Sequence, residues 1–299
     1  MPQKKISVVI PTIGRTEMLE KCISSISANT LRPSEILVVS QSSEHSDLVR
    51  SLSRLEIDEL KILYCSGRGI ARNMNFALLN CCHDLVFVTH DDCTVDRDWI
   101  EKGTALYEKH TGVLTGRVMP PPGVSQEKVP SVKTSMKRFD FTNTLHSGAL
   151  YPCNMILNRS DVVQFGGFDE REGLQLAAED LDFCYRWLKA GKSVVYEPDI
   201  VVTHHDWRST GDLSKLYRRY AYCTGCFYCK HLLAGDRIFI RWIWRDASSS
   251  VKAIVRMLFR RIKTDDLERS KLLFWMPIGF FSELFRILKD KIFPVKTAC

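Results

Sequence analysis

The segment Asp84-Leu85-Val86-Phe87-Val88-Thr89-His90-Asp91-Asp92 ends an apolar, β-prone run on an imidazole and two adjacent carboxylates. Leu85 to Val88 has the length and branching of a strand buried on both faces. His90, Asp91 and Asp92 then fall at its carboxyl end, where open α/β sheets bind ligands. Neighbouring carboxylates repel unless a cation, a positive side chain or water compensates them, and a divalent ion that also grips phosphate oxygens would do so. The competing account is a solvated acidic turn with Asp98 capping the next helix. Two distant features bear on the choice. Glu179 and Asp180 stand at the start of an amphipathic helix, where the dipole favours ionised carboxylates, and His204 ends a late strand as a candidate imidazole ligand, with His205 as the alternative. Asp92 and His204 with phosphate oxygens suit Mn2+ or Mg2+ better than zinc. Arg15 and Arg72 can add positive charge for phosphates.

The elements that must position these groups alternate. Ile6–Ile10 reads as a buried strand, followed by the turn Pro11 to Arg15 and a helix with Thr16 as N-cap and Met18, Leu19, Cys22, Ile23 and Ile26 on one face. Strands at 35–39 and 60–64 and helices at 47–55 and from Gly69 follow, then the strand before Asp91. Strand and helix alternating in this way predict a Rossmann-like, doubly wound, mostly parallel sheet whose strand ends bring Thr12, Ser40, Ser66 and Asp91 to one edge. Further helices are expected at 98–107, 160–165 and from about 178 to Gly191, with strands at 113–118, 154–157, 193–196 and 200–202. The stretch 119–150 has no clear period and reads as a binding loop.

Composition sets outer bounds. The chain has 299 residues, 45% hydrophobic and 26% charged, ordinary for a globular protein. No apolar leader follows Met1 to Lys5, and the 11 cysteines form no paired framework, so a cytoplasmic protein with reduced thiols is expected. Cys226 and Cys229 form a CxxC without a second ligand pair, which argues against structural zinc. Charge is uneven: residues 1–204 hold 23 Lys and Arg against 26 Asp and Glu, residues 205–299 hold 19 against 9. From residue 212 the pattern is helical, interrupted near Gly235 and Ser248 to Ser250. Arg237 to Arg245 interleaves bases with Phe239, Trp242 and Trp244, and Leu272 to Phe281 is apolar but too short to span a bilayer. A basic, Trp-containing helix of this kind fits the surface of an anionic membrane. No nucleic-acid module is recognisable, so nucleic acid is not expected as a partner.

The ordered motifs resemble family-2 glycosyltransferases with a GT-A fold. The matching residues are Val8 to Thr12 with Arg15; Glu35 to Val39; Gly69-Ile70-Ala71-Arg72-Asn73; His90 to Cys93 with Asp96 to Trp99; Gly166-Gly167-Phe168-Asp169-Glu170; Glu179 to Asp182; and Pro198 to His204. The resemblance implies a nucleotide half at about 1–118 and an acceptor half at about 119–205, with 206–299 a basic helical extension. It implies that Pro11, Thr12, Arg15, Ser40, Gln41 and Ser42 line the nucleotide pocket, with Arg72 and Asp91 by the diphosphate. It implies Asp92 and His204 as metal ligands and Asp180 as catalytic base. Asn154, Gly166, Gly167, Asp169 and Glu179 would shape the sugar and acceptor side. The implied reaction is inverting transfer from a nucleoside-diphosphate sugar, a UDP-sugar first among them, to a glycan or lipid-linked acceptor, with a protein at the inner face of the membrane. Two positions depart from the pattern: Ser40 stands where the family often has an acid, and His90 replaces the first carboxylate of the metal motif. They motivate a catalytically degenerate, sugar-nucleotide-binding scaffold as the alternative. A nucleotidyltransferase fits less well, because Pro11 to Arg15 is not a Gly-rich, basic loop.

Overall fold

The computed structural model describes residues 4–110, 112–126, 129–146, 148–205, 208–259 and 266–292. The chain divides into two compact units, one of residues 1–170 with 179–207, the other of 171–178 with 208–299.

In the first unit four short strands form the parallel half of a sheet: the buried β1 (Ile6–Thr12), β2 (Glu35–Ser40) and β4 (Leu85–Val88), and the partly exposed edge strand β3 (Leu60–Tyr64). The helices α1 (Thr16–Ser27), α2 (His45–Leu52) and α3 (Ile70–Asn80) are their crossovers. Beyond β4 the pairing becomes mixed. The order β3-β2-β1-β4-β8-β6-β9-β5 takes in β5 (Cys93–Val95), β6 (Val113–Met119), β8 (Met155–Asn158) and β9 (Val194–His204), while β7 (Phe139–Asp140) pairs with β9. β8 runs antiparallel to β4 and β6, and β9 runs parallel to β6. The second half of the sheet is therefore less parallel than strand–helix alternation predicts, because β8 follows β6 without an α-helical crossover among the described residues and returns antiparallel between β4 and β6.

Each face of the sheet has its own apolar core. Val8, Ile10 and Phe87 meet α1, α2 and Trp99 and Ile100 of α4 (Trp99–Tyr107). Val9, Val86 and Val88 meet α3, Val162 of α5 (Arg159–Gln164) and Phe183, Cys184, Trp187 and Leu188 of α6 (Glu179–Lys189). Alternate residues of one strand thus feed opposite cores, as the period of two requires.

Three expectations change. Thr16 does not cap α1; Arg15 holds the cap position without a side-chain cap bond, because a guanidinium has no acceptor to offer the free N–H groups of the first turn. The two strands expected at 193–196 and 200–202 are one strand, β9, whose register jumps from Glu197 to Val201 opposite Gly116 and Arg117. This bulge accommodates Pro198, which lacks an N–H for the ladder. The stretch 119–150 is not wholly irregular, since β7 and a bridge from Val118 to Lys133 tie it to the sheet.

The second unit is helical: α7 (Thr210–Leu233), α8 (Ile238–Leu258) and α9 (Asp266–Ile292). Ser209 opens α7 with a capping box completed by Asp212. The break near Gly235 is present, but Ser248 to Ser250 lie within α8. Ser250 is buried and its hydroxyl accepts the Leu273 N–H at 3.1 Å, so it ties two helices together instead of ending one. α7 and α9 approach closely where Gly225 faces the Met276 carbonyl and Gly279 faces the Tyr222 carbonyl; a Cβ at either glycine would collide with backbone. Cys226 of the CxxC points into this contact, its thiol donating to the Gly279 carbonyl.

Candidate active site

The crevice is built on the register of β1 and β4. β1 runs past the end of β4, pairing Val9 with Val88 and continuing to Thr12. The Thr12 hydroxyl therefore reaches across and donates to Asp91 Oδ2 at 2.6 Å. It also accepts the Gly14 N–H at 3.0 Å. Gly14 has φ +102° and lies against the Ser42 side chain, a turn only glycine tolerates. That turn delivers Arg15, which is ion-paired with Asp91 and stands 3.2 Å from Asp92 Oδ2. Both carboxylates are buried. The compensation that adjacent carboxylates require is thus supplied in part by a positive side chain of the protein itself.

His204 arrives by a different route. β5, only three residues long, pairs antiparallel with the end of β9 and places Cys93 opposite His204. The His204 Nδ1 lies 2.9 Å from the Pro130 carbonyl; a carbonyl only accepts, so Nδ1 carries the proton. Nε2 then faces Asp92 Oδ1 at 3.5 Å. A neutral ring would turn its lone pair on a carboxylate, an arrangement relieved by a proton or by a cation between the two. Ligands about 2 Å from one ion stand roughly 3 to 4 Å apart, so the pair fits a divalent ion. Among the described residues, ligand atoms of Asp92, Cys93 and His204 lie within 4.8 Å of one another. Burial works to raise Asp92, but the hydrogen bond and charge of His204, with Arg15, hold its carboxyl well below the usual range. Burial pushes Asp91 up against the pull of Arg15. His205 turns away: its ring meets the Thr94 hydroxyl at 2.9 Å and its N–H donates to the Asp92 carbonyl.

Beside this cluster lie the ends of β2 and the loop after it. Thr12 pairs with Ser40, Gln41 donates its N–H to the Thr12 carbonyl at 3.0 Å, and the Gln41 amide reaches the Gly69 carbonyl at 3.1 Å. Ser40 Oγ accepts the Ser42 N–H. Pro11 is interior to β1 and offers only backbone.

The remaining expected residues sort differently. Arg72 is not held against the carboxylate pair; its Nε donates to Glu170 at 3.1 Å. It belongs to a clamp that sequence reasoning missed. Asn75 bonds both the N–H and the carbonyl of Phe168, at 2.9 and 2.8 Å, and donates to Glu170 at 2.9 Å. From the other side Arg186 donates to the Gly167 carbonyl at 2.7 Å while paired with Asp182 at 2.6 Å. Gly166, Gly167 and Asp169 therefore form a loop pinned between α3 and α6. Asn154 is a correction. Its amide accepts from the Trp99 indole and donates to the Arg117 and Ile200 carbonyls, each at 2.9 Å. A fully buried side chain with these three bonds knits β6, β9 and α4 and is not a surface for acceptor. Glu179 is buried. Asp180, the second residue of α6, accepts the Leu181 N–H at 2.8 Å, and burial outweighs that bond to push its carboxyl up to about 6.

With the geometry described, comparison with known proteins decides the family. The model for glycosyl transferase family 2 matches residues 7–165. The chain belongs to that family. It is 27% identical over 212 residues to the pre-mycofactocin glycosyltransferase of Mycobacterium tuberculosis, covering 67% of this chain and 43% of that protein. It therefore spans less than half the length of that relative. It is 26% identical over 223 residues to the glucosyl-dolichyl phosphate glucuronosyltransferase of Haloferax volcanii, covering 67% of this chain and 69% of that one. Among solved structures it resembles the mannosyltransferase PcManGT from Pyrobaculum calidifontis, in complex with GDP-Man and Mn2+, with a TM-score of 0.58 at 15% identity over 98% of this chain and 77% of that chain. That likeness carries the fold alone. This member of family 2 has a GT-A fold: a mixed sheet flanked by helices, with further helices at the C-terminal end.

Proposed function

We propose that this glycosyltransferase moves a sugar from a nucleoside-diphosphate sugar, a UDP-sugar first among candidates, to a hydroxyl group of a glycan or lipid-linked acceptor, with inversion at the anomeric carbon. The observation that carries this reading is the His204 Nε2 facing Asp92 Oδ1 at 3.5 Å, a pair formed where the ends of β1, β4 and β9 converge. In this reading residues 1–205 are the catalytic domain and 206–299 a helical extension that meets an anionic membrane surface, the acceptor being encountered at its inner face.

Asp92 and His204 would hold a divalent cation, Mn2+ or Mg2+. Bound there, such an ion supplies positive charge for the developing negative charge of the leaving diphosphate. Thr12 and Arg15 hold the carboxylate pair in place, so Asp92 meets donor in one orientation. The turn at Gly14, with Ser40, Gln41 and Ser42, lines the space for base and ribose. Arg72, half-exposed on α3, is exchangeable between Glu170 and a diphosphate oxygen. Asp180 takes the proton of the acceptor hydroxyl as its oxygen attacks; a carboxyl brought up to about 6 is a stronger base than an ordinary aspartate and still ionised at neutral pH. Asp169 and the loop at Gly166 and Gly167 border the acceptor side.

The test is incubation of the protein with Mn2+ or Mg2+ and a panel of nucleotide sugars, following nucleoside diphosphate release. Metal-dependent release from one donor supports the reading. Pyrophosphate release would make the protein a nucleotidyltransferase, and donor binding without turnover would make it a scaffold.

A further inference from the structure

The helical unit carries apolar surface that its own core does not use. In α9, Phe274, Ile278, Phe281, Phe285, Leu288 and Ile292 are exposed, Phe285 at 71% and Phe281 at 64%. They recur at alternating spacings of four and three, so at about 3.6 residues per turn they fall within an arc of roughly 80°. Met276, Gly279 and Glu283, which this helix buries, lie on the opposite side. α8 repeats the pattern. Ile240, Trp244, Val251, Val255 and Leu258 are exposed, Trp244 at 76%, within an arc of about 60°, and the buried Phe239, Ser250 and Ala253 lie away from it. The next part of the α8 circumference holds the exposed cations Arg237, Arg241 and Lys252. Lys271 and the exposed Lys289 flank the α9 stripe, with the acid Glu268 farther round on the same side. Among the described residues no helix is long and apolar enough to cross a membrane, so these stripes fit a surface they lie on.

We propose that the exposed faces of α8 and α9 dock on an anionic lipid bilayer, with apolar side chains at the acyl boundary and the flanking cations at the headgroups. This is the architecture of an interfacial helix: an apolar face, a basic flank and an exposed tryptophan. The excess of 19 Lys and Arg over 9 Asp and Glu in residues 205–299 has the sign that anionic headgroups attract. A second copy of the chain is the competing occupant. A seam between two helices normally sets charges of both signs beside its apolar positions, whereas here the flank of α8 is basic. The nearby acid, Asp246, is occupied inside the unit by the Tyr228 hydroxyl at 2.6 Å. The inference deepens the membrane part of the proposed function and is independent of sugar transfer, since vesicle binding is read without donor or acceptor.

The experiment is flotation of the full chain with phosphatidylcholine vesicles, with and without an anionic phospholipid, at low and high ionic strength. Binding to anionic vesicles that weakens with salt is expected. Arg237→Gln with Arg241→Gln should weaken it about twenty-fivefold, roughly fivefold per charge. Phe281→Ser with Phe285→Ser should weaken it by at least about tenfold. These side chains are exposed, so both variants should keep the wild-type circular dichroism; if the Phe pair does not, the Arg pair carries the test. Absence of binding, equal binding to neutral vesicles, or binding untouched by both variants would overturn the proposal. A concentration-dependent dimer dissolved by the Phe substitutions would also overturn it, reassigning the face to a second copy.

Discussion

Two carboxylates show how one protein uses the same group in opposite ways. Glu35 sits at the start of β2, away from the crevice, with 1% of its surface exposed. Burial pushes its pKa up, but the Cys82 N–H, the Ser7 hydroxyl, the Cys82 thiol and the Lys61 ammonium together bring it down to about 2. Those donors stand at 2.7, 2.6, 3.1 and 3.0 Å. Asp180 sits at the start of α6, where burial wins over the backbone N–H groups and its carboxyl rises to about 6. A carboxylate saturated with donors is locked in its charged form and holds strands together. One left with burial dominant keeps a proton affinity that chemistry can use. Four donors on Glu35 against backbone N–H groups alone on Asp180 separate the structural acid from the candidate base.

The largest expected effect breaks the functional side of this pair. Asp180→Asn keeps the size of the side chain but removes the proton acceptor, so transfer should fall about a hundred- to ten-thousandfold while donor binding, read by titration calorimetry, stays near wild type. Transfer at the wild-type rate would remove Asp180 from the chemistry. Next comes the structural side. Glu35→Ala strands Ser7 and the Cys82 N–H and should cost about 3 kcal/mol of stability in urea unfolding, with kcat per folded molecule unchanged. The pH dependence has a definite sign. The folded pKa lies below the unfolded value of 4.5, so the contribution of Glu35 is fully present above about 4.5 and lost as pH falls toward 2. The variant should accordingly lack part of the wild-type acid transition.

Much of the first unit was legible because its signals are local. Four largely apolar runs mark β1 to β4, and the abrupt stop at His90, Asp91 and Asp92 marks the edge where the carboxylate pair lies. What pairs strands is not local. Nothing in the sequence marks Cys93 to Val95 as a strand, yet its register with β9 is what sets His204 against Asp92. Pro130, which orients the His204 ring, lies in a stretch with no period. Asn154 shows the converse: a polar residue in a family-like context reads as a ligand group, but its three buried hydrogen bonds make it part of the frame. Asn75 was missed because a lone amide on a helix carries no signal until Phe168 is seen beside it.

That amide sharpens the comparison by testing whether the functional end needs the same rigidity as the Glu35 end. Asn75→Leu removes both bonds to Phe168 and one to Glu170, loosening the loop between α3 and α6. kcat should fall about tenfold through misplacement of the groups it positions, with the KM for donor and the pH profile unchanged and Asn75→Gln, which keeps both donor and acceptor, restoring part of the loss. A change confined to KM would make Asn75 a donor-binding residue instead.

The smallest effect is the most specific to Asp180. Its folded pKa of about 6 lies above the ordinary aspartate value of 3.8, so the folded state binds the extra proton between these values and loses stability as pH rises through them. Above pH 6 an ionised, partly desolvated Asp180 is a standing cost that Asn does not carry. Asp180→Asn should therefore be more stable than wild type at pH 7.5 by about 1 kcal/mol, after allowance for the carboxyl's contact with solvent. For a chain of this size that is a rise of about 2 to 4 °C in Tm. At pH 4 the difference should vanish, because wild type then carries the proton. Glu35→Ala must behave in the opposite sense, with its deficit largest at neutral pH and shrinking in acid. Thermal scans of both variants at the two pH values read the contrast directly, and equal pH dependence in the two would show that the carboxylates are not tuned apart.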